Sequence, residues 1–326
     1  MRDANSPSEQ PQGFAPINRA YNAVFQLDKL TIGLVVPIEA YPHSVTPVMA
    51  THMERVQLAE QLGFAAVWLR DVPFNVPSFG DAGQIFDPFV YLGALSATTR
   101  DIALGVASVV LPLRHPAHVA KAAASVDALS GGRLLLGVAS GDRPEEYPAL
   151  RQSFAERGAR FRDSIDYIRA MAEPYPSKTT DHGLLAGQMD MLPKPVAGRL
   201  PLLITGGSQQ SPDWVAENGD GWMTYPRDPL SQARVIADYR HRIALSGGQD
   251  KPVMQSLYID LVADPEAPAQ PIHLGFRSGI KALRRYLLDL QALGVNHVAL
   301  NLRFNEADIE TTLQHLSQDL LPDFFV

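Results

Sequence analysis

The stretch Thr205-Gly206-Gly207-Ser208-Gln209-Gln210-Ser211-Pro212 combines what a phosphate-sized anion needs from a main chain. Two glycines let the backbone come close to a ligand, and a helix that starts just beyond leaves amide N–H groups without intrahelical acceptors. Ser208 and Ser211 add hydroxyl donors. The same residues also describe a plain strand-to-helix turn in which Ser211 only caps the helix, and the pattern alone leaves both readings open.

A second constellation is Arg70-Asp71, which follows the apolar run AAVWL. Charges at the end of a buried strand require partners or a ligand, so an ion pair of the rim and a role in chemistry are both open. His115 and His118 stand three apart, a metal spacing, but no third ligand completes a set; His115, before a proline, reads as a residue that positions a loop. The segment Pro77 to Pro88 (PSFGDAGQIFDP) reads as a lid over a site, with Asp87-Pro88 as a helix cap and first-turn proline. Asp142 to Glu146 reads as a solvated or salt-bridged loop in which Arg143 is the residue that can contact a ligand. Walker loops, Gly-x-Ser-x-Gly, Gly-x-Gly-x-x-Gly and His-Glu-x-x-His are all missing, which removes support from P-loop, nucleophile-elbow, Rossmann and metallohydrolase readings.

The elements that must position these residues follow a repeating pattern. Leu30 to Val36 (LTIGLVV) and Ala65 to Leu69 are short apolar runs of the kind that form buried strands. Thr46-Pro47 predicts the start of the helix between them. Further strands are predicted at Ile102 to Leu111, Leu134 to Ala139, Leu202 to Thr205, Gly221 to Thr224, Val253 to Val262 and Val295 to Leu302, each followed by a helical pattern. About eight βα units with no halfway break predict a (β/α)8 barrel rather than an open doubly wound sheet. Residues 1–27 read as an extended or poorly ordered arm, and 28–326 as one barrel domain with loop insertions near 173–200 and 264–279.

In a barrel the functional groups gather at the C-terminal ends of the strands. Reading those ends gives Glu39, Arg70-Asp71, Ser108, Ser140 with Asp142-Arg143, the Gly206-Gly207-Ser208 turn, Tyr225, and Asn301 with Arg303. Composition narrows the partners. The 326 residues carry 28 Lys+Arg against 35 Asp+Glu, a net charge of −7, with no basic cluster to suggest nucleic acid or an anionic membrane. No apolar window approaches the roughly 18 residues of a membrane span, and the polar N-terminus lacks a signal-peptide core, so cytoplasm is the expected compartment. Zero cysteines exclude disulfides, a catalytic thiol and thiolate metal sites.

From Leu30 to the C-terminus the chain resembles the bacterial luciferase-like superfamily of flavin- and deazaflavin-dependent oxidoreductases. The resemblance rests on Ile102 to Gly141 (IALGVASVVLPLRHPAHVAKAAASVDALSGGRLLLGVASG), Leu202 to Trp222 and Gly294 to Leu302. It implies a flavin-supporting bulge with a non-proline cis peptide at Ala107-Ser108, and phosphate contacts from Gly207, Ser208 and Ser211. Ser140 stands where luciferase has an arginine near the phosphate, which leaves Arg143 or Arg277 to supply the charge. Many members carry a histidine after the second strand; here Asp71-Val72 stands there, so Asp71, Arg70 or Glu39 would have to substitute. The implied activity is a two-component monooxygenase that takes reduced FMN from a separate reductase and acts with O2 on a small organic substrate. F420-dependent hydride transfer and a non-catalytic flavin-binding barrel are the alternatives. No metal is implied, and members of the superfamily are commonly dimers or larger.

Overall fold

The computed structural model describes residues 13–324. Eight parallel strands form the frame: β1 (Thr31–Val35), β2 (Ala66–Leu69), β3 (Ala103–Val110), β4 (Leu134–Ala139), β5 (Leu202–Thr205), β6 (Gly221–Thr224), β7 (Val253–Leu261) and β8 (His297–Asn301). Each pairs with the next, and the ladder Thr31↔His297 to Leu34↔Leu300 joins β8 back to β1, so the eight strands close into a (β/α)8 barrel. A helix follows every strand, from His52–Gln61 after β1 to Ile309–Asp319 after β8. Among the described residues, no helix is long and apolar enough to cross a membrane.

Local chemistry fixes where these helices begin. Four open on a residue-proline pair in which the first residue caps the helix. Asp87, His115, Ser211 and Asp228 each accept an amide N–H of the first turn through the side chain, and Pro88, Pro116, Pro212 and Pro229 follow them. The pair Thr46-Pro47 does not behave this way, and the first helix starts at His52 instead. The Glu39 carboxylate accepts the amides of Val48 and Met49, and Met49 has a φ of 60°, a left-handed turn that interrupts any helix started at Pro47.

The segments expected to be loop insertions carry strands of their own. Ser177–Thr180 and Gly183–Ala186 make an antiparallel hairpin. Gly275–Ser278 pairs with Gln270–Ile272 and also adds in parallel to the upper end of β7. Of the expected extended arm, Met1 to Gln12 lie outside the described residues, whereas Arg19–Val24 form a helix. That helix is capped by Asn18 and buries Tyr21 and Val24. Apolar Ile17, Val24 and Phe25 give it a face that joins the barrel interior, where Trp68, Leu135, Leu203 and Met254 converge.

The interior is held by a directed chain of hydrogen bonds. Trp68 Nε1 donates to His297 Nε2 at 2.8 Å, His297 Nδ1 lies 2.7 Å from Thr31 Oγ1, and that hydroxyl donates to the Val24 carbonyl at 2.8 Å. With Nε2 accepting and the threonine hydroxyl already donating, the imidazole is neutral and protonated at Nδ1. A side chain at position 105 would place Cβ 2.3 Å from Cε3 of the Trp68 ring, so the indole needs glycine beneath it.

Complete burial pushes the His297 imidazole down to about 3. A histidine lowered in this way favours the folded chain fully above its ordinary value of about 6.5, and the advantage fades as pH falls toward 3 because the unfolded chain takes up the proton. The full span is on the order of 4 to 5 kcal/mol. His297→Leu is therefore expected to cost about 1–3 kcal/mol at pH 7 by stranding the indole N–H. It should also flatten the loss of melting temperature below pH 6.5. Parallel pH profiles for the two proteins would show that His297 is not held neutral.

Candidate functional site

The C-terminal ends of the strands surround a cavity of about 870 Å3. Its wall includes Arg70, Asp71, Ser108, Ser140, Arg143 and the 206–209 turn, and Tyr225, Asn301 and Arg303 complete the rim expected from sequence. Glu39 and Ser211 are not in the wall. Glu39 is spent on the amides of Val48 and Met49, and Ser211 Oγ accepts the Trp214 N–H at 3.2 Å. Arg277, one of the two arginines expected to supply phosphate charge, is paired with Asp260 at 3.0 Å and Glu306 at 2.7 Å and is not in the wall.

The turn after β5 is built to present amides. Gly206, Ser208 and Gln209 have φ values of 55°, 43° and 60°, so the chain coils in left-handed steps. Gly206 N donates to the Met223 carbonyl and Gln210 N to the Gly207 carbonyl. Among the described residues, nothing accepts the N–H groups of Gly207, Ser208 and Gln209. Ser208 Oγ donates to the Thr205 carbonyl at 2.8 Å and keeps its acceptor capacity. The amides without an acceptor are consecutive loop amides rather than a helix terminus, since Ser211 caps its own seven-residue helix.

The third strand supplies the neighbouring wall. The register between β3 and β4 shifts between Val106 and Val109, and the Ala107-Ser108 peptide inside that bulge is cis. Ser108 Oγ and Thr205 Oγ1 share a hydrogen bond, which ties the bulge to the base of the amide turn. Ser140 is buried at the end of β4, and its carbonyl accepts the Tyr147 hydroxyl. Gln210 Nε2 donates to the Gly158 carbonyl at 2.9 Å, which brings the start of the helix Arg157–Ala170 against the same turn.

Charged groups fill the side formed by β2 and β8. Asp71 accepts Arg114 Nε at 3.0 Å and Nη2 at 2.7 Å, together with the Val110 amide at 3.1 Å. Arg70 donates to Asp81 at 2.6 Å, and Arg303 reaches the same carboxylate at 3.3 Å. The Tyr41 hydroxyl and the Gly83 amide also donate to it. Burial alone would raise the Asp81 carboxyl, but Arg70, the Gly83 amide and Arg303 outweigh it and hold it below the usual carboxylate range. Asp81 thus pins the expected lid, placing Phe79 and Gly80 in the wall. Arg70 and Asp71 lie in the cavity as expected, each with a fixed charge partner.

One residue was missed by the sequence reading. Glu146, read as part of a solvated or salt-bridged loop, stands 3.8 Å from Arg143, is 3 % exposed and lies in the cavity wall. Its burial follows from the apolar Tyr147 beside it, which is completely buried and anchors the segment. Among the described residues, no group of three or more His, Asp or Glu is arranged to hold a metal ion.

The luciferase-like monooxygenase family profile matches residues 30–321 of the chain. A protein of Mycobacterium tuberculosis described only as uncharacterized is 32% identical over 200 residues, covering 56% of this chain and 69% of that one. The F420-dependent hydroxymycolic acid dehydrogenase of the same organism is 29% identical over 224 residues, covering 67% of this chain and 61% of that one. Among solved structures, the monooxygenase RslO1 from Streptomyces bottropensis superposes with a TM-score of 0.75 at 19% identity, over 90% of this chain and 99% of that one.

The Asp71–Arg114 pair lends itself to a stability test. Removing one partner of a buried pair leaves a charge without compensation. Arg114→Met is expected to destabilise the protein by about 3 kcal/mol in urea unfolding, and Asp71→Asn with Arg114→Met together by less than the single change. An unchanged unfolding midpoint for Arg114→Met would show that the pair does not anchor the cavity wall.

Proposed function

The chain belongs to the luciferase-like monooxygenase family, and from that premise we propose that it is an oxidoreductase that binds reduced FMN at the barrel mouth. In this reading it works with O2 and a separate flavin reductase on a small organic substrate. The observation that carries the reading is the 207–209 turn, whose three consecutive amides have no acceptor among the described residues. Ser208 is buried, Gly207 and Gln209 are exposed, and a phosphate is the ligand that suits three such backbone amides in a row. The Ser208 hydroxyl donates to the Thr205 carbonyl and so steadies the turn, and Ser108 is tied to its base through the Thr205 hydroxyl. The helix Arg157–Ala170 starts against the turn, and of the two arginines expected to supply the charge that Ser140 does not, Arg143 lies in the cavity wall.

When bound, the flavin supplies the two-electron chemistry. The residues of this chain bind, orient and shield it. The amide turn takes the phosphate, the Ala107-Ser108 bulge supports the ring, and the Asp81-pinned segment with Phe79 keeps water from the mouth. A second reading, hydride transfer with F420, is favoured by the likeness to the F420-dependent hydroxymycolic acid dehydrogenase. The amide turn suits it equally, because F420 also carries a phosphate on its ribityl chain.

An anaerobic titration of the protein with FMN and F420, each oxidised and reduced, separates the two. Preference for reduced FMN is the expected outcome, and preference for F420 transfers the assignment to hydride transfer. Ser208→Glu is expected to weaken the preferred cofactor at least about tenfold, by placing a like charge against the phosphate. Binding of neither cofactor, or an unchanged affinity in Ser208→Glu, would overturn the phosphate site.

A further inference from the structure

Arg143 and Glu146 lie in the cavity wall after β4 and are 5 % and 3 % exposed. Arg143 Nη2 donates to the Asp81 carbonyl at 3.2 Å, and its guanidinium lies 4.2 Å over the Phe79 ring. Among the described residues, however, its Nη1 has no acceptor and Glu146 Oε1 has no donor. These two atoms face each other across 3.8 Å, which is too long for a hydrogen bond. Buried polar atoms are rarely left unpaired, and two of opposite character at one cavity wall mark a place where a ligand atom completes the set. One oxygen about 2.8 Å from both, set to the side of the line joining them, would bridge them as an acceptor from Nη1 and a donor to Oε1. A hydroxyl group has that dual character.

The three residues that the sequence offered for moving a proton are occupied. Asp71 is held bidentate by Arg114, Arg70 by Asp81, and Glu39 by two backbone amides. Glu146 faces Arg143 and Asp142 from its own segment, Asp71 from the end of β2, and the amide of Phe74 beyond it. Burial, aided by Asp71 and Asp142, pushes its carboxyl up to about 7 against the pull of Arg143. Near neutral pH such a group both takes and returns a proton.

We propose that Glu146 is the proton-exchanging carboxyl of this cavity and that the gap between it and Arg143 receives one hydroxyl oxygen of the substrate, which is therefore an alcohol. The inference rests on the reading of the cavity as the substrate site. In the step, the hydroxyl O–H bond breaks and its proton goes to Glu146 Oε1. The electron pair stays on the oxygen, giving an alkoxide to which Arg143 Nη1 donates. Glu146 thereby performs the task left open by the absence of a histidine after β2.

The test is an infrared titration of the carboxyl C=O band in the cofactor-free protein, with and without cyclohexanol, and with methoxycyclohexane as the probe that lacks the hydroxyl proton. The expected result is a band that titrates with a midpoint near pH 7 and disappears in Glu146→Gln. In Arg143→Met the midpoint should rise by about one pH unit or more, because the guanidinium that favours the ionised form is gone. Cyclohexanol should shift the band and methoxycyclohexane should not. A band that survives Glu146→Gln, or a midpoint indifferent to Arg143→Met, would overturn the assignment of the proton to Glu146. A band that ignores cyclohexanol would overturn the hydroxyl site, and Arg143→Met keeps the question answerable if Glu146→Gln does not fold. Because no cofactor is present, failure here leaves the flavin reading untouched, and failure of cofactor binding leaves this result standing.

Discussion

The carboxylate of Asp81 is the constraint on which the mouth of the barrel depends. It belongs to a loop, yet it gathers Arg70 from the end of β2, Arg303 from beyond β8 and the Tyr41 hydroxyl from the segment after β1. Each of those groups would otherwise face a cavity with little competing solvent, where an unpaired charge is costly. Sharing one carboxylate between two guanidinium groups fixes the loop against two strands at once. It also leaves the third arginine, Arg143, with the Asp81 carbonyl, the Phe79 ring and, at 3.8 Å, Glu146. The unfilled hydrogen-bonding capacity beside Glu146 is a consequence of that distribution.

The two sides of the cavity are built from different chemistry. On the β3–β5 side the groups are neutral: backbone amides, three hydroxyls and the Ala107-Ser108 bulge. Neutral donors hold an anion without drawing a permanent counter-ion, and they need no side chain to reorganise when it arrives. On the β2–β8 side the groups are charged and already paired, so they shape the wall rather than bind. Beneath both, the helix Arg19–Val24 and the Trp68–His297–Thr31 chain close the barrel interior. The floor of the cavity is therefore as rigid as a protein core.

Competition from nearby backbone and charged groups explains why the candidate residues fared differently. Ser108, Ser140 and the 206–208 turn stand in the wall because a strand end in a barrel faces the mouth, and strand ends are legible in the apolar runs. Glu39 and Ser211 lie just past strand ends too, but each found nearer amides, two residues of a turn for one and a helix start for the other. Local hydrogen bonds of this kind depend on backbone geometry that a residue's type does not reveal. Arg277 was drawn off by Asp260 and Glu306, partners brought to it by a strand added to the upper end of β7.

By itself the sequence determined the eight apolar strands, the helices between them and hence the closed barrel, because period and length of apolar runs reflect burial directly. It also determined the glycine-serine turn and the absence of a histidine after β2, since these are properties of residue types in order. Only the tertiary structure decided how charge is distributed. Arg114 meets Asp71 across 43 positions and Arg303 meets Ser44 and Gly80 across 259 and 223. Such pairings are set by barrel closure and leave no local trace. The same holds for Glu146, which a run of four charged residues and a proline disguised as surface until the burial of Tyr147 carried it into the wall.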